Sequence, residues 1–479
     1  MTKQLVIIGG GPGGYVAALK GAALGARVTL IEKENLGGTC LNWGCIPSKI
    51  MKNSADLLLK CLEADKMGIQ IEGHVSADMT ALMARKDKIL EDQRKGIEGL
   101  MEANGISVLF GKGKIAGPGK VSVTDAAGEE TIVDYDKLII ATGTKPLNVL
   151  DFPFDHTRVV SSNDILCLDR IPASMTIVGG GVIGCEFAFI FSALGCQVTV
   201  VEAMSRLLPL PSVDESCSKL LMREMKKRKI KVFCDTVVTK AEAGDAGVSV
   251  SLSVSPFTDN PKPKKLKTDT LESEIMAVCI GRTPLSEDLG LENIGLQTER
   301  GWIPANEFME TAADNVYAIG DILGPAKIML AHVASHEGLV AAENALSDTG
   351  TKAVMAYNAV PGAIFTMPEV GTVGLSEEGA KAAGFEVETA SVNFRVLGKA
   401  QAIGEIAGEA KMIVDAATKK VLGVHITGPH ATDLIAEATL AVEKGMTADE
   451  VAHTIHAHPT LAEIMGEVAS KASGMPLHG

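Results

Sequence analysis

Two cysteines five residues apart stand in a setting that suits redox chemistry. Cys40 and Cys45 belong to the stretch 37–49, which reads Gly-Gly-Thr-Cys-Leu-Asn-Trp-Gly-Cys-Ile-Pro-Ser-Lys. Proline is favoured at the first position of a helix, so the sequence predicts a helix that begins near Ile46 or Pro47. Cys45 would then lie at a helix N-terminus, where unpaired N–H groups and the helix dipole stabilise a thiolate. Such a pair can open and close as a dithiol.

Two other interpretations of the cysteine pair stay open from the residues alone. The pair could be half of a zinc site, although no CxxC or CxxH pair stands elsewhere in the sequence to complete it. The two residues could also be buried structural thiols, which is the commoner role of an arbitrary pair. The stretch Gly-Cys-Ile-Pro directly after a nucleotide-binding unit favours the redox interpretation.

That nucleotide-binding unit opens the chain. A short apolar run at 6–8 predicts a strand that is buried in a parallel sheet. It leads to Gly9-x-Gly11-x-x-Gly14, an alanine-rich helix and a second strand that ends on Glu32. The glycines permit close approach to a pyrophosphate, the helix N-terminus stabilises its charge, and the acid accepts a ribose hydroxyl.

The same pattern recurs later in the chain. Gly179-x-Gly181-x-x-Gly184 follows another apolar run, and the next strand leads to Glu202. The spacing between the last glycine and the acid is the same in both copies, from Gly14 to Glu32 and from Gly184 to Glu202. The chain is therefore expected to contain two nucleotide-binding folds. Glu202 would repel a 2′-phosphate and accept from a 2′-hydroxyl, which favours NAD over NADP.

Further elements are expected around these folds. Each fold is followed by a returning element, at 138–143 and at 277–281, and 51–104 has helical periodicity. Val108–Val133 predicts a small antiparallel ribbon, and the polar stretch 255–272 predicts a hairpin loop inside the second fold. From about Tyr357 the pattern changes to a third, α+β domain.

A carboxylate and a histidine stand at two later positions. A short strand ends on Asp321, where a carboxylate at a strand end would point into the ligand crevice. Capping of the following helix, expected to continue through Leu346, is the alternative role for Asp321. Near the C-terminus, Pro459 suits a helix start, which would place His458 at the cap and Glu463 in the first turns. A histidine paired with a carboxylate is an oriented base, and a purely structural histidine is the alternative.

Length and composition exclude several classes of protein. The 479 residues suffice for two to four domains, and a net charge of −14 argues against nucleic acids and anionic membranes as main partners. Nine scattered cysteines fit a reducing compartment in which one pair works. No stretch approaches the ~20 apolar residues of a membrane span. With no leader before the first strand, a bacterial cytoplasm is expected rather than a mitochondrial matrix after removal of a presequence.

Taken in their order along the chain, these motifs resemble those of the pyridine-nucleotide disulfide oxidoreductases. The likeness covers about 3–470 and includes both glycine fingerprints, the cysteine stretch, Ala-Ile-Gly-Asp and the terminal His-Pro-Thr-x-x-Glu. It implies an α/β fold class with two Rossmann-like domains, for FAD and NAD, plus a C-terminal α+β dimerisation domain. The expected boundaries are 1–150 for the FAD-binding domain, 151–274 for the NAD-binding domain, 275–350 for the returning FAD-binding segment and 351–479 for the dimerisation domain.

The resemblance also implies roles for the reactive residues. Cys40 would exchange with the substrate disulfide, and Cys45 would lie under the flavin and form the charge-transfer thiolate. His458, oriented by Glu463, would act as acid and base for the cysteines of the other subunit. The enzyme is therefore expected to be an obligate homodimer.

Contacts to both cofactors follow from the same resemblance. Lys49 would pair with Glu186 near the reactive nitrogen of the flavin. The expected FAD contacts are Gly9, Gly11, Gly14, Glu32, Lys33, Lys49, Gly113, Ala141, Thr142, Gly143, Asp321, Met329, Leu330, Ala331 and His332. The expected NAD contacts are Gly179, Gly181, Gly184, Glu186, Glu202, Val238 and Gly281. No metal is expected.

Within the family, the chain is most similar to the members that reoxidise dihydrolipoyl groups. Electrons would pass from lipoyl domains of 2-oxoacid dehydrogenase or glycine cleavage complexes to the Cys40–Cys45 disulfide, to FAD and then to NAD⁺. One alternative is another disulfide reductase of the family that consumes NAD(P)H. A nonenzymatic nucleotide-sensing module is a second alternative, but it would have no use for the dithiol or for His458 and Glu463.

Overall fold

The protein is described from a computed structural model that covers residues 2–263, 266, 268–347 and 350–479. The backbone divides into two compact units. The first comprises Met1–Met51, Thr80–Leu147 and Gly281–Tyr357. The second comprises Lys52–Met79, Asn148–Ile280 and Asn358–Gly479.

Strands and α-helices are numbered in chain order. Within the described residues the strands are β1 Gln4–Ile8, β2 Arg27–Glu32, β3 Ser107–Phe110, β4 Lys112–Gly117, β5 Lys120–Thr124, β6 Glu130–Asp134, β7 Lys137–Ile140, β8 Thr144–Pro146, β9 Val159–Ser161, β10 Ser174–Val178, β11 Gln197–Val201, β12 Lys231–Phe233, β13 Thr236–Gly244, β14 Gly247–Val254, β15 Thr270–Ser273, β16 Ile275–Val278, β17 Arg282–Pro284, β18 Val316–Ala318, β19 Gly362–Ile364, β20 Glu369–Gly374, β21 Val387–Asn393, β22 Glu409–Asp415 and β23 Val421–Gly428. The α-helices of the same residues are α1 Pro12–Ala23, α2 Gly38–Trp43, α3 Cys45–Leu62, α4 Met79–Ala103, α5 Ser162–Ile165, α6 Val182–Ala193, α7 Glu215–Lys227, α8 Ala331–Leu346, α9 Glu377–Ala382, α10 Gly398–Ile403, α11 Ala431–Lys444, α12 Ala448–Ala452 and α13 Glu463–Ala472.

The first unit is built on a parallel sheet in the order β18-β7-β1-β2-β3. The apolar residues of β1 are buried, as the sequence predicts for a strand that is covered on both faces. Helices α1 and α8 pack together beside this sheet. The long segment 141–315 separates β7 from β18, so the sheet is completed only by a late part of the chain.

The predicted antiparallel ribbon is confirmed with a shorter extent. Strands β4, β5 and β6 form an antiparallel sheet over 112–134. Residues 107–110 belong instead to the parallel sheet, where β3 pairs with β2. The correction follows from Gly111, whose N–H donates to the carbonyl of Glu32 and so continues the β2–β3 hydrogen bonding.

The second unit contains a second parallel sheet, in the order β12-β11-β10-β16-β9. Its strand β16 pairs with β10, so Ile275–Val278 belongs to the second sheet. The chain re-enters the first unit at Gly281. The hairpin expected around 255–272 is confirmed, because β14 pairs antiparallel with β15. Within that loop, 264, 265 and 267 lie outside the described residues.

The C-terminal part of the second unit is an antiparallel sheet in the order β19-β20-β23-β22-β21. Helices α11 and α13 bury apolar side chains with it, among them Ile435, Ile464 and Val468. The expected α+β domain is thus confirmed, and with the two parallel sheets so is the predicted fold class. Nowhere in the described ranges does a helix have the length and apolar character needed to cross a membrane.

Candidate active site

The cysteine pair spans the junction between helices α2 and α3. Cys40 lies in the short helix α2, Gly44 separates the helices, and Cys45 is the first residue of α3. The predicted position of Cys45 at a helix N-terminus is confirmed, while the helix begins one residue earlier than expected. Helix α2 was not foreseen from the sequence, because its six residues are too few for periodicity to show.

The two thiols interact directly. A hydrogen bond with Cys45 and burial together raise the pKa of Cys40, and the charge of Lys49 opposes this rise. The raised pKa favours the protonated form of Cys40 within the pair. Across the described residues, no group of three or more histidine, cysteine or acidic side chains is arranged to hold a metal ion.

Arg282, which the sequence analysis did not single out, lies beside the cysteine pair. Its Nε donates to Thr144 Oγ1 at 2.6 Å, and one Nη donates to the carbonyl of Thr144 at 3.0 Å and to Thr39 Oγ1 at 3.3 Å. Thr39 immediately precedes Cys40. The guanidinium thus connects β8 with the helix that carries the first cysteine. Its position directly after the returning element at 277–281 is the one sequence signal that could have drawn attention to it.

Asp321 belongs to the same hydrogen-bonded group. Its Oδ2 accepts from Thr144 Oγ1 at 3.0 Å and lies 3.9 Å from Nε of Arg282. The alternative role as cap of the following helix is wrong, because α8 has Leu330 at its N-cap and no side-chain cap there. The adjacent Gly320 donates its N–H to Glu337, a buried residue of α8 that the sequence analysis also missed.

The first glycine fingerprint has the geometry that a dinucleotide requires. Gly9 has φ +110°, and a Cβ there would lie 2.3 Å from the carbonyl oxygen of Ala141. The hydroxyl of Thr142 is buried and has no hydrogen-bond partner among the described residues. An unpaired buried hydroxyl beside the fingerprint fits a polar ligand group. These residues therefore fit the FAD that the family resemblance implies.

The two fingerprint acids are held in the same way. Glu32 accepts the N–H of Gly10 at 2.7 Å with one carboxylate oxygen and the N–H of Glu34 at 2.9 Å with the other. Glu202 likewise accepts from Gly180 at 2.5 Å and from Met204 at 2.8 Å. Each acid is thus fixed at the end of its strand, where its carboxylate could also accept a ribose hydroxyl.

The second fingerprint leaves space where a pyrophosphate would lie. A Cβ on Gly181, the N-cap residue of α6, would meet nothing within 4 Å. Burial raises the pKa of Glu202, whose carboxylate is compensated by backbone N–H donors. Open space at a helix N-terminus together with a fixed acid fits the NAD that the resemblance implies.

Other predicted cofactor residues lie on both units. Gly113 is on β4, where a Cβ would come within 3.1 Å of the side chains of Ile8 and Ile31. Glu186 of α6 is buried and accepts the N–H of Phe365 at 2.9 Å. The remaining residues lie just after β2, between β7 and β8, around the start of α8, on β13 and just before β17, namely Lys33, Gly143, Met329, Leu330, Ala331, His332, Val238 and Gly281. The expected pairing of Lys49 with Glu186 stays a prediction.

His458 and Glu463 are brought together in the second unit. Nδ1 of His458 lies 2.7 Å from Oε1 of Glu463, and Oε2 of Glu463 accepts the N–H of Thr460 at 2.9 Å. Burial opposes ionisation of Glu463, but the hydrogen bonds from His458 and Thr460 hold its pKa below the usual range.

The predicted helix start at Pro459 is wrong, since α13 begins at Glu463. Two acceptors organise 457–462 in place of helical hydrogen bonds. The carboxylate of Glu463 accepts the N–H of Thr460, and the carbonyl of Ala457 accepts from Thr460 Oγ1 at 2.7 Å. The expectation that Glu463 lies in the first turn of the helix is confirmed.

Comparison with known proteins agrees with this arrangement along the whole chain. Residues 3–338 match the family described as pyridine nucleotide-disulphide oxidoreductase, and residues 360–469 match the dimerisation domain of the same family. The dihydrolipoyl dehydrogenase of Chlamydia trachomatis serovar D is 40% identical over 477 residues, with 99% of this chain and 97% of the relative covered. The dihydrolipoyl dehydrogenase of Bacillus subtilis is 39% identical, with 99% of each chain covered.

A solved structure shows the same fold. The crystal structure of LpdA from Mycobacterium tuberculosis superposes with a TM-score of 0.88 at 27% sequence identity and covers 98% of this chain and 99% of its own. The likeness covers both nucleotide-binding folds and the C-terminal domain. The chain is an enzyme that belongs to the pyridine nucleotide-disulphide oxidoreductases.

Proposed function

We propose that the protein oxidises dihydrolipoyl groups through a Cys40–Cys45 disulfide and bound FAD, with NAD⁺ as the final electron acceptor. The observation that carries this proposal is the directly interacting thiol pair at the N-terminus of α3, in a chain with two nucleotide-binding folds. Relatives at 39–40% identity over nearly the full chain, named dihydrolipoyl dehydrogenases, support the choice of substrate.

The cysteines exchange disulfides with the substrate in two steps. A dihydrolipoyl thiolate attacks Sγ of Cys40, the Cys40–Cys45 bond breaks, and Cys45 leaves as a thiolate. The second substrate thiol then attacks the mixed disulfide, closes the lipoyl ring and releases Cys40. The substrate loses two electrons and two protons, and the cysteine pair gains both electrons. Because hydrogen bonding and burial favour the protonated form of Cys40, one of the protons is retained there.

A base must take the other proton. His458 suits this role, because Glu463 holds Nδ1 and leaves Nε2 for proton transfer. In the proposed enzyme this imidazole serves the cysteines of a second copy of the chain. The matched dimerisation domain supports a homodimer, and lipoyl domains of 2-oxoacid dehydrogenase or glycine cleavage complexes are the proposed partners.

The two cofactors are assigned to the two nucleotide-binding folds. FAD is proposed for the fold of the first unit, where Gly9, Glu32, Thr142 and Asp321 lie, and NAD for the fold that contains Gly181 and Glu202. Bound FAD would supply electron transfer between the dithiol and the nicotinamide. The buried carboxylate of Glu202 supports NAD over NADP, since a 2′-phosphate beside it would be repelled. A reducing compartment such as the cytoplasm suits a chain with nine cysteines.

An anaerobic absorbance titration of the purified protein tests the proposal. Dihydrolipoamide is added first and NAD⁺ second. We expect long-wavelength absorbance on reduction, from a thiolate beside the flavin, followed by NADH at turnover rates. Reduction without NADH would show that dihydrolipoamide and NAD⁺ are not the substrate pair, and absence of the long-wavelength absorbance would contradict the dithiol assignment.

A further inference from the structure

We propose that Arg282 is a positioning residue of the redox pair, whose fixed guanidinium stabilises the negative charge that Cys45 carries once the disulfide has been reduced. The inference deepens the function proposed above and rests on it. It assigns a task to a buried cation that none of the predicted cofactor or catalytic contacts includes.

The position of the guanidinium is set by neighbours on both sides. Three hydrogen bonds connect it with the hydroxyl and carbonyl of Thr144 and with the hydroxyl of Thr39. The side chain is only 13% exposed. Thr39 lies next to Cys40, and a Cβ on Gly44 would lie 3.1 Å from the carbonyl oxygen of Thr39. Thr39, which accepts a hydrogen bond from Arg282, therefore lies close to the turn at Gly44 that joins the two cysteine-bearing helices.

The charges near the guanidinium of Arg282 explain why its position matters. A buried cation is costly unless an opposite charge is close. Asp321 is 3.9 Å from Nε, and its Oδ2 also accepts from Thr144, so the carboxylate compensates the guanidinium only in part. Burial lowers the pKa of Arg282, and the charges of Asp321 and Cys45 oppose that shift. Because such an interaction is mutual, Arg282 stabilises the Cys45 thiolate to the same extent that the thiolate stabilises the guanidinium.

Among the described residues, further groups with an electrostatic interaction with the pair lie on its own helix and on α1. Lys49 follows Cys45 by one turn of α3, and its charge opposes the rise in the pKa of Cys40. Tyr15 of α1 has a pKa that burial and the charge of Cys40 raise. Unlike Lys49, Arg282 reaches the pair from a distant part of the sequence, beside the acid Asp321.

The consequence is a bias in the redox equilibrium. Reduction adds two electrons and one proton to the neutral disulfide and leaves the Cys40 thiol and the Cys45 thiolate. A fixed cation favours the reduced form, because it is the form with a negative charge. Loss of the cation should therefore make the thiolate easier to protonate and the disulfide harder to reduce.

The test uses the full-length holoenzyme and the variant Arg282→Met. Each protein is reduced anaerobically with dihydrolipoamide, and the long-wavelength thiolate absorbance is followed as the pH is lowered. We expect the variant to lose the absorbance at higher pH, with a thiolate dissociation constant about tenfold smaller, equivalent to about 30 mV in the potential of this two-electron couple. Equilibration with the lipoamide couple measures that potential independently.

Three further variants separate charge from structure. Arg282→Lys keeps the positive charge and should retain most of the parent behaviour. Arg158→Met removes a guanidinium that also donates to backbone carbonyls, those of Glu274 and Asp245 in the second unit. It should leave unchanged the midpoint pH at which the thiolate absorbance is lost. Thr144→Val loosens Arg282 without removing it and should shift the midpoint in the same direction, which keeps the test available if Arg282→Met fails to fold.

Two results would overturn the inference: an unchanged midpoint and potential in Arg282→Met, or equal shifts in the Met and Lys variants. A parent protein that shows no thiolate absorbance at all would instead contradict the proposed function of the pair. The two failures are therefore distinguishable.

Discussion

Nδ1 of His458 lies 2.7 Å from Oε1 of Glu463, and this pair fixes the orientation of an imidazole whose side chain is 74% exposed. A histidine held on one nitrogen by a carboxylate leaves the other nitrogen for proton transfer. Exposure of a group held this way is what a base requires if it serves a site on another copy of the chain.

Replacement of this imidazole should slow the reaction without dissolving the dimer. We expect His458→Ala to reduce the rate of dihydrolipoamide oxidation by roughly 10²–10⁴-fold, the usual contribution of general acid–base catalysis. Stopped-flow reduction of the flavin and size-exclusion chromatography measure the two properties. His453→Ala is the matched control, since His453 is also exposed and bonded within its own segment. If His458→Ala oxidises dihydrolipoamide at the parent rate, the role of His458 is structural.

Removal of the second cysteine should abolish disulfide turnover. In Cys45→Ser the pair cannot form a disulfide, so we expect no NADH production from dihydrolipoamide while flavin content stays at the parent level. Cys167→Ser removes an exposed cysteine outside the pair and should keep full activity. Flavin absorbance and coupled NADH formation are measured on the same samples, and residual turnover in Cys45→Ser would contradict the exchange mechanism.

The acid of the second fingerprint should determine the choice between NAD and NADP. Glu202→Ala is expected to raise the KM for NAD⁺ roughly 10- to 100-fold, because hydrogen bonds to charged groups contribute about 1.5–3 kcal/mol. The preference for NAD⁺ over NADP⁺ should decrease, since repulsion of the 2′-phosphate is lost. Glu202→Gln keeps an oxygen acceptor for Gly180 and separates lost charge from lost packing. Glu32→Gln, the equivalent change in the first fingerprint, should leave NAD/NADP selectivity intact, and unchanged selectivity in Glu202→Ala would refute the assignment.

A buried histidine should make the second unit less stable in mild acid. Burial lowers the pKa of His425, against the opposing hydrogen bond to Leu375. Its Nδ1 accepts the N–H of Asp214. The carboxylate of Asp214 is bonded to Lys411 and accepts the N–H of Glu377. The unfolded chain binds a proton near pH 6.5 and the folded chain does not, so stability is full above that pH and falls below it.

Thermal unfolding from pH 7 to pH 5 checks this expectation. The loss that His425 causes is at most about 2 kcal/mol at pH 5, the limit set by an unfolded-state pKa of about 6.5. We expect His425→Gln to have a lower melting temperature at pH 7 and a flatter dependence between pH 7 and pH 5. His430→Gln, at an exposed histidine on the same domain, should follow the parent curve. A slope that persists in His425→Gln would assign the pH dependence to other groups.

Local sequence signals predicted the parts of this molecule that are built locally. Both glycine fingerprints, the strands that lead to Glu32 and Glu202, and a helix start within one residue of Cys45 depend on neighbours that are close in the sequence. The span of α8 followed in the same way. For such elements, spacing and turn chemistry suffice.

Features set by distant contacts could not be read from the sequence. Arg282 acquires its position from Thr39, Thr144 and Asp321, which come from three other segments of the chain. Helix α13 starts late because the Glu463 carboxylate bonds to His458 and Thr460. These contacts outweigh the usual preference for proline at a helix start.

The strand β18 makes completion of the first sheet depend on protein synthesis itself. Between the end of β7 and the start of β18 the ribosome must add the whole segment 141–315. At roughly 5–20 residues per second this takes about 9–35 s. During that interval the edge of β7 that faces away from β1 has no partner strand, while the residues of the second nucleotide-binding sheet leave the ribosome and can pair among themselves. Two structurally similar folds in one nascent chain therefore mature in the reverse of the order in which they begin.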